Sequence, residues 1–245
     1  MKLPLMLAVL PALALAACNK DDTATVSAPV KNIAAAPAPA GTAWADVVAP
    51  TPQGGMRMGN PDAPIKLIEY GARTCPTCAR FDAEGLPALK SGMIASGKVS
   101  YEFRDFPVHG PLDIGPILLG QCVEPAAFFP MLEDMMRNQQ TLLAKEQQVA
   151  QAGQALQGKP PMEVARFFAE NLGYIDFVKQ RGVPESKALA CFADQAAIAR
   201  LAANLQQADT EYKVSGTPTF IVNGKIADGV LDWKGLEGVL RAAGA

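Results

Sequence analysis

An α/β fold carrying an inserted helical domain follows from three features of the sequence. Residues 54–106 run in the order strand, strand, helix, strand. Residues 111–192 place their apolar side chains at helical spacing. Short β-type runs return between residues 214 and 226, so the helical stretch is an insertion and not a separate domain.

The chain opens on Met1-Lys2, an apolar run from Leu3 to Ala14 that is short for a bilayer span, and small residues at Leu15-Ala16-Ala17. This reads as a signal peptide over residues 1–17. Leu-Ala-Ala followed by Cys18 resembles a lipobox, in which Cys18 is acylated and becomes the mature N-terminus. An ordinary secretory signal cut nearby is the alternative, and both readings place the chain in an oxidising compartment. Residues 18–53, rich in Ala and Pro, are expected to be a tether, with Trp44, Val47 and Val48 starting to dock on the domain.

The first part of the α/β unit spans residues 54–110. A short strand lies between the turn residues Gly54-Gly55 and Asn60-Pro61, and Ile65–Tyr70 is apolar and β-branched enough for a buried strand. A helix follows with Cys78, Phe81, Gly85 and Leu89 on one face, and Pro87 is expected to kink or end it. Val99, Tyr101 and Phe103 then alternate along a strand. The insertion, 111–192, starts with a stripe of Ile114, Ile117, Leu118 and Cys122, continues over 128–152, and breaks at Gly158-Lys159-Pro160-Pro161.

The second part, 193–245, opens on Asp194 as the cap of a helix reaching about Tyr212, with Ile198, Leu201, Leu205 and Ala208 inward. Asn223-Gly224 between two apolar runs is a strong hairpin signal. Asp232 to Ala243 closes the chain as a helix with Leu236, Val239 and Leu240 inward.

A composition of 49% hydrophobic and 19% charged residues with net charge −2 is globular and has no footprint for nucleic acid. One His rules out a multi-histidine metal site. The five Cys divide into Cys18, the pair Cys75 and Cys78, and Cys122 with Cys191, the last two being either a second disulfide or two buried thiols.

Chemistry concentrates at Glu69-Tyr70-Gly71-Ala72-Arg73-Thr74-Cys75-Pro76-Thr77-Cys78, a strand end, a loop and a helix start. The unpaired N–H groups and dipole at a helix N-terminus favour a thiolate on Cys75. Pro76 suits the first helical position, and Cys78 lies one turn on, close enough to close a small disulfide ring. The reading is a thiol–disulfide redox site that needs no cofactor beyond its own disulfide and no metal. A zinc or copper site is the alternative, and zinc would need two more ligands from distant segments. Glu69, on a strand fit for burial, is exposed, neutral or functional, since an unpaired buried carboxylate is costly.

The Cys-Pro-Thr-Cys motif, the helical insertion and the later Gly216-Thr217-Pro218-Thr219 resemble the DsbA-like branch of the thioredoxin fold, in which helices flank a central mixed sheet. Gly59–Pro64, Phe103-Arg104-Asp105-Phe106-Pro107 and Val214–Thr219 share its order and spacing, over roughly residues 54–243. The resemblance implies a cis Pro218, with Thr217 offering its backbone to an extended substrate; an ordinary trans turn is the alternative. It implies attack at Cys75, resolution by Cys78, proton shuttling by Glu69 and a Cys122–Cys191 disulfide within the insertion. Arg104 is the expected charge partner of Glu69, and His109 an ordinary surface residue.

Thr77 departs from the best-known oxidases of the family, which carry His there, and points to a less oxidising pair. The function expected is disulfide formation in unfolded or partly folded Cys-containing proteins, by a monomer tethered to a membrane and served by a membrane redox partner. Disulfide isomerisation or reduction is the alternative, and from another class a metal-binding lipoprotein.

Overall fold

A computed structural model describes residues 33–245; the signal segment, Cys18 and the first part of the tether lie outside them. Six strands, β1 (Val48–Pro50), β2 (Met56–Met58), β3 (Ile65–Gly71), β4 (Val99–Asp105), β5 (Thr219–Val222) and β6 (Lys225–Ile226), form one mixed sheet ordered β1-β2-β4-β3-β5-β6. Only β3 and β4 run parallel, with Ile65 opposite Val99 and Gly71 opposite Asp105. Parallel neighbours need a crossover. It is supplied by α1 (Pro76–Glu84), α2 (Leu86–Leu89) and a π-helical turn, Lys90–Ile94. Gly85 separates α1 from α2, and Pro87 sits in the first turn of α2, where its missing N–H leaves no gap. Asn223 and Gly224 close the β5–β6 hairpin with φ of 50° and 79°, a left-handed pair that Asn and Gly accept most readily.

The domain begins earlier than residue 54. Trp44 is buried in a 3₁₀ turn, its indole N–H donates to the Ala36 carbonyl at 2.8 Å, and Val48–Pro50 pairs with Met56–Met58 as an edge strand. The Ala/Pro composition of residues 18–53 reads as a tether because nothing local to it announces this pairing. Pro50 is tolerated because an edge strand can leave one side of its backbone unpaired.

The insertion holds α3 (Pro111–Gln121), α4 (Phe128–Arg137), α5 (Gln139–Leu142), α6 (Glu146–Gly153), α7 (Pro161–Asn171), α8 (Tyr174–Lys179) and α9 (Glu185–Cys191). The helical run over 128–152 is divided among α4, α5 and α6. Its own core gathers Leu118, Leu119, Met131, Met135, Ala169, Tyr174 and Val178. A second core lies between the sheet and α1, with Ile65, Leu67, Phe81, Phe103 and Phe220, and takes in Phe128 and Phe129 of α4. Insertion and sheet are therefore joined by aromatic packing.

Asp194 caps α10 (Gln195–Tyr212) by accepting from the Ala196 and Ala197 amides at 2.9 and 3.0 Å. Its buried stripe is Ala197, Leu201, Asn204 and Ala208. That is one position off the expected Ile198 and Leu205, because Asn204 is drawn inward to donate to the Asp105 carbonyl at 2.9 Å. Asp232 caps α11 (Trp233–Ala242), whose Leu236 and Leu240 reach the core while Val239 is half-buried.

Candidate active site

Strand β3 ends at Gly71, and the loop from Ala72 delivers Cys75 to the N-cap of α1, with φ −79°, ψ 119° and Pro76 next. Both thiols are free. Cys75 is 7% exposed and Cys78 fully buried. The Cys75 thiol is pulled down to about 5: the Cys78 thiol contributes most, then Thr217 and the backbone amides of Cys78 and Thr77. Thr77 contributes through its backbone amide. Burial pushes Cys78 well up, and the neighbouring Cys75 and Glu69 add to the rise.

The Thr217–Pro218 peptide is cis, and the Thr217 carbonyl accepts from Cys75 Sγ at 3.3 Å. The Thr217 hydroxyl is buried beside this contact. Two segments remote in sequence thus meet at one sulfur.

Glu69 is 1% exposed, and burial lifts its carboxyl to about 8; Asp82 and Cys75 push the same way. Its partner is Tyr101, whose hydroxyl donates at 2.7 Å and opposes the rise. Arg104 is not its partner. The parallel register sets Glu69 opposite Phe103 and Tyr70 opposite Arg104, so Arg104 lies on the other face of the sheet. There it binds Glu102 at 2.7 Å and the Tyr70 hydroxyl at 2.9 Å. Asp82, one turn beyond Cys78 on α1, is raised to about 7 by burial and by Glu133.

Several residues of the site have no signature in the sequence. Arg73 is fully buried, pairs with Asp105 through Nε at 2.8 Å and Nη2 at 3.2 Å, and lies over the rings of Phe103 and Phe128. Gly120 allows this: a Cβ there would come within 2.3 Å of the guanidinium. The Thr74 hydroxyl donates to buried Asp113 and lies 2.7 Å from His109 Nδ1. His109 is therefore part of the loop's support, with 45% of its side chain exposed. Gln139 Nε2 donates to the carbonyls of Arg73 and Cys75 at 3.0 and 3.1 Å.

Cys122 and Cys191 form a disulfide with Cα atoms 6.1 Å apart, tying the end of α3 to α9. Those sulfurs are committed to each other and not to a metal shared with Cys75 and Cys78. Among the described residues no group of three or more His, Cys, Asp or Glu could hold a metal ion, and no helix is long and apolar enough to cross a membrane.

A family model described as thioredoxin matches residues 51–242. A protein-disulfide isomerase from Novosphingobium aromaticivorans has a similar crystal structure, with TM-score 0.70 and 31% identity over 76% of this chain and 95% of that one. Wolbachia pipientis alpha-DsbA1 shares the fold at 19% identity, with TM-score 0.59 over 78% of this chain and 91% of that one. A Rickettsia bellii protein under the provisional name protein-disulfide oxidoreductase is 27% identical over 169 residues, 69% of this chain and 57% of that protein. The chain thus spans a little over half the length of the curated relatives of that kind.

Proposed function

The chain belongs to the thioredoxin family, in its DsbA-like branch, and from that premise we propose that it is an exported oxidase of protein thiols. The observation that carries the reading is the contrast between the two sulfurs: Cys75, at the N-cap of α1, is held down at about 5, chiefly by the Cys78 thiol, while burial pushes Cys78 well up. A stabilised Cys75 thiolate favours the reduced pair and makes Cys75 a good leaving group, which is what an oxidant needs.

In the reaction, a substrate thiolate attacks Cys75 Sγ of the Cys75–Cys78 disulfide. The new S–S bond forms as the old one breaks, and Cys78 leaves with the electron pair. Glu69, neutral below about pH 8, supplies the proton that Cys78 takes up. A second substrate thiolate then attacks the substrate sulfur of the mixed disulfide, and Cys75 leaves as a thiolate. Two substrate thiols become a disulfide, the Cys75–Cys78 pair holds the two electrons, and Asp82 is the next carboxylate through which Glu69 exchanges protons with water. The Thr217–Pro218 loop offers its backbone to an extended substrate strand.

The substrates are unfolded or partly folded Cys-containing proteins, and a membrane redox partner accepts the two electrons. Cys18, as a lipid-bearing N-terminus, holds a monomer on the periplasmic side of a membrane through the Ala/Pro-rich segment that follows it. Equilibration with glutathione buffers tests the direction: a potential near or below about −230 mV would defeat the oxidase reading.

The similarity to a protein named as a disulfide isomerase supports a second reading, in which the reduced pair reshuffles wrong disulfides. The lack of a positive charge at Thr77 fits it. Recovery of activity from a scrambled, fully oxidised test protein by the reduced enzyme, with no net oxidation, would favour isomerisation.

A further inference from the structure

Three consecutive residues of the redox loop are held from outside the α1 helix. Arg73 is clamped by Asp105, which also accepts from Gln121 of α3 at 2.9 Å. Thr74 donates to Asp113 of α3. Around Cys75 the hold comes from α5: one Gln139 amide nitrogen spans the Arg73 and Cys75 carbonyls. Gln139 is 5% exposed, so water cannot readily replace it as donor.

We propose that Gln139 is a positioning residue through which the helical insertion sets the reactivity of Cys75. The inference rests on the reading of Cys75 as the sulfur that a substrate thiolate attacks. Cys75 stands at the N-cap with no side-chain cap of its own, and its carbonyl already accepts from the Ala79 amide at 3.1 Å. Rotation of the Cys75 backbone would swing the carbonyl and move the sulfur relative to the Thr77 and Cys78 amides. A second donor at the same carbonyl, tied also to residue 73, opposes that rotation. The opposite wall is the Thr217 carbonyl, 3.3 Å from the sulfur. The sulfur is thus set between the cis-proline loop and the insertion, and α5 adds a contact that a bare strand–loop–helix unit could not make.

The test uses the full chain with Gln139→Leu, which keeps bulk and loses the donor. Gln139→Glu presents only oxygens to the two carbonyls when ionised. Gln139→Met, unbranched and suited to a helix, serves where the leucine disturbs folding. Thiolate absorbance near 240 nm is titrated against pH, the equilibrium with glutathione is measured, and thermal melts confirm the fold. The expected result is a Cys75 titration moved to higher pH and a pair about tenfold less oxidising than wild type, with Glu the most affected. Wild-type titration and equilibrium in folded variants would overturn the role of Gln139 while leaving the redox reading intact. A wild-type protein that does not exchange with glutathione at all would overturn both.

Discussion

Tyr101 on β4 donates a 2.7 Å hydrogen bond to Glu69 on β3, inside the core and within electrostatic reach of Cys78. The two are diagonal neighbours, since Glu69 lies opposite Phe103. The bond restrains a carboxyl that burial has already raised to about 8. Removing the hydroxyl in Tyr101→Phe should move Glu69 higher still. The pH at which mixed-disulfide formation loses its proton donor would rise with it, and a pH–rate profile for one dithiol peptide reads that change. An unchanged profile would separate Glu69 from the reaction.

Glu69 also has a stability signature. Its folded-state value, about 8, lies above the ordinary 4.5, so the folded chain binds the proton more tightly than the unfolded one. Its contribution is fully present below pH 4.5 and is lost progressively up to about pH 8. Glu69→Leu should remove that loss and stabilise the fold at pH 8 by on the order of 3–5 kcal/mol. It should also slow mixed-disulfide formation by on the order of 10²-fold, through loss of the acid. Urea melts across this pH range, paired with single-turnover kinetics, check both.

Cys75 works in the opposite sense. Its folded-state value, about 5 against 9, adds stability to the reduced protein above pH 9 and loses it as pH falls through 5. The reduced form should therefore melt higher than the oxidised form at pH 7. At pH 7, midway between the two values, the ceiling is about 3 kcal/mol, and roughly half that once partial exposure to solvent is allowed. Cys75→Ser abolishes exchange, whereas Cys78→Ser should trap substrates on Cys75. Equal melting of the oxidised and reduced forms at pH 7 would contradict the lowered thiol.

Arg73 and Asp105 are both at most 2% exposed along their side chains. Breaking a buried pair leaves one charge uncompensated, so Arg73→Met should destabilise by about 3–5 kcal/mol. Replacing both, in Arg73→Met with Asp105→Leu, should cost less than the sum of the single changes. Denaturant midpoints with an unchanged slope make the comparison.

The Cys122–Cys191 bridge closes a loop of 69 residues inside the insertion. Its replacement by two alanines should destabilise by about 2–4 kcal/mol. Glutathione equilibration of Cys75 and Cys78 should stay as in wild type, because the bridge does not contact them. A changed redox equilibrium would show that the insertion carries strain to the site.

The redox motif, its helix N-terminus, the Thr-Pro loop and the Asn-Gly hairpin were readable because each is encoded by neighbouring residues. Asp194 and Asp232 were readable as caps for the same reason. Trp44, Val47 and Val48 point to docking, but the strand Val48–Pro50 has no local signature, since an edge strand is recognisable only by what it pairs with. His109 is a surface residue, as its sequence context suggests, but its contact with Thr74 crosses 35 positions and has no local signal. Arg104 is not the charge partner of Glu69 expected from the sequence, because the register of two parallel strands puts it on the other face.

The sequence by itself determined which groups are present and where along the chain: a dithiol at a helix start, an acid six residues before it, and a Thr-Pro loop downstream. Only the tertiary structure decided how they react. Thiol and carboxyl acidities depend on burial and on partners from β4, α5 and the Thr217 loop, and those partners meet Cys75 or Glu69 only when remote segments pack together.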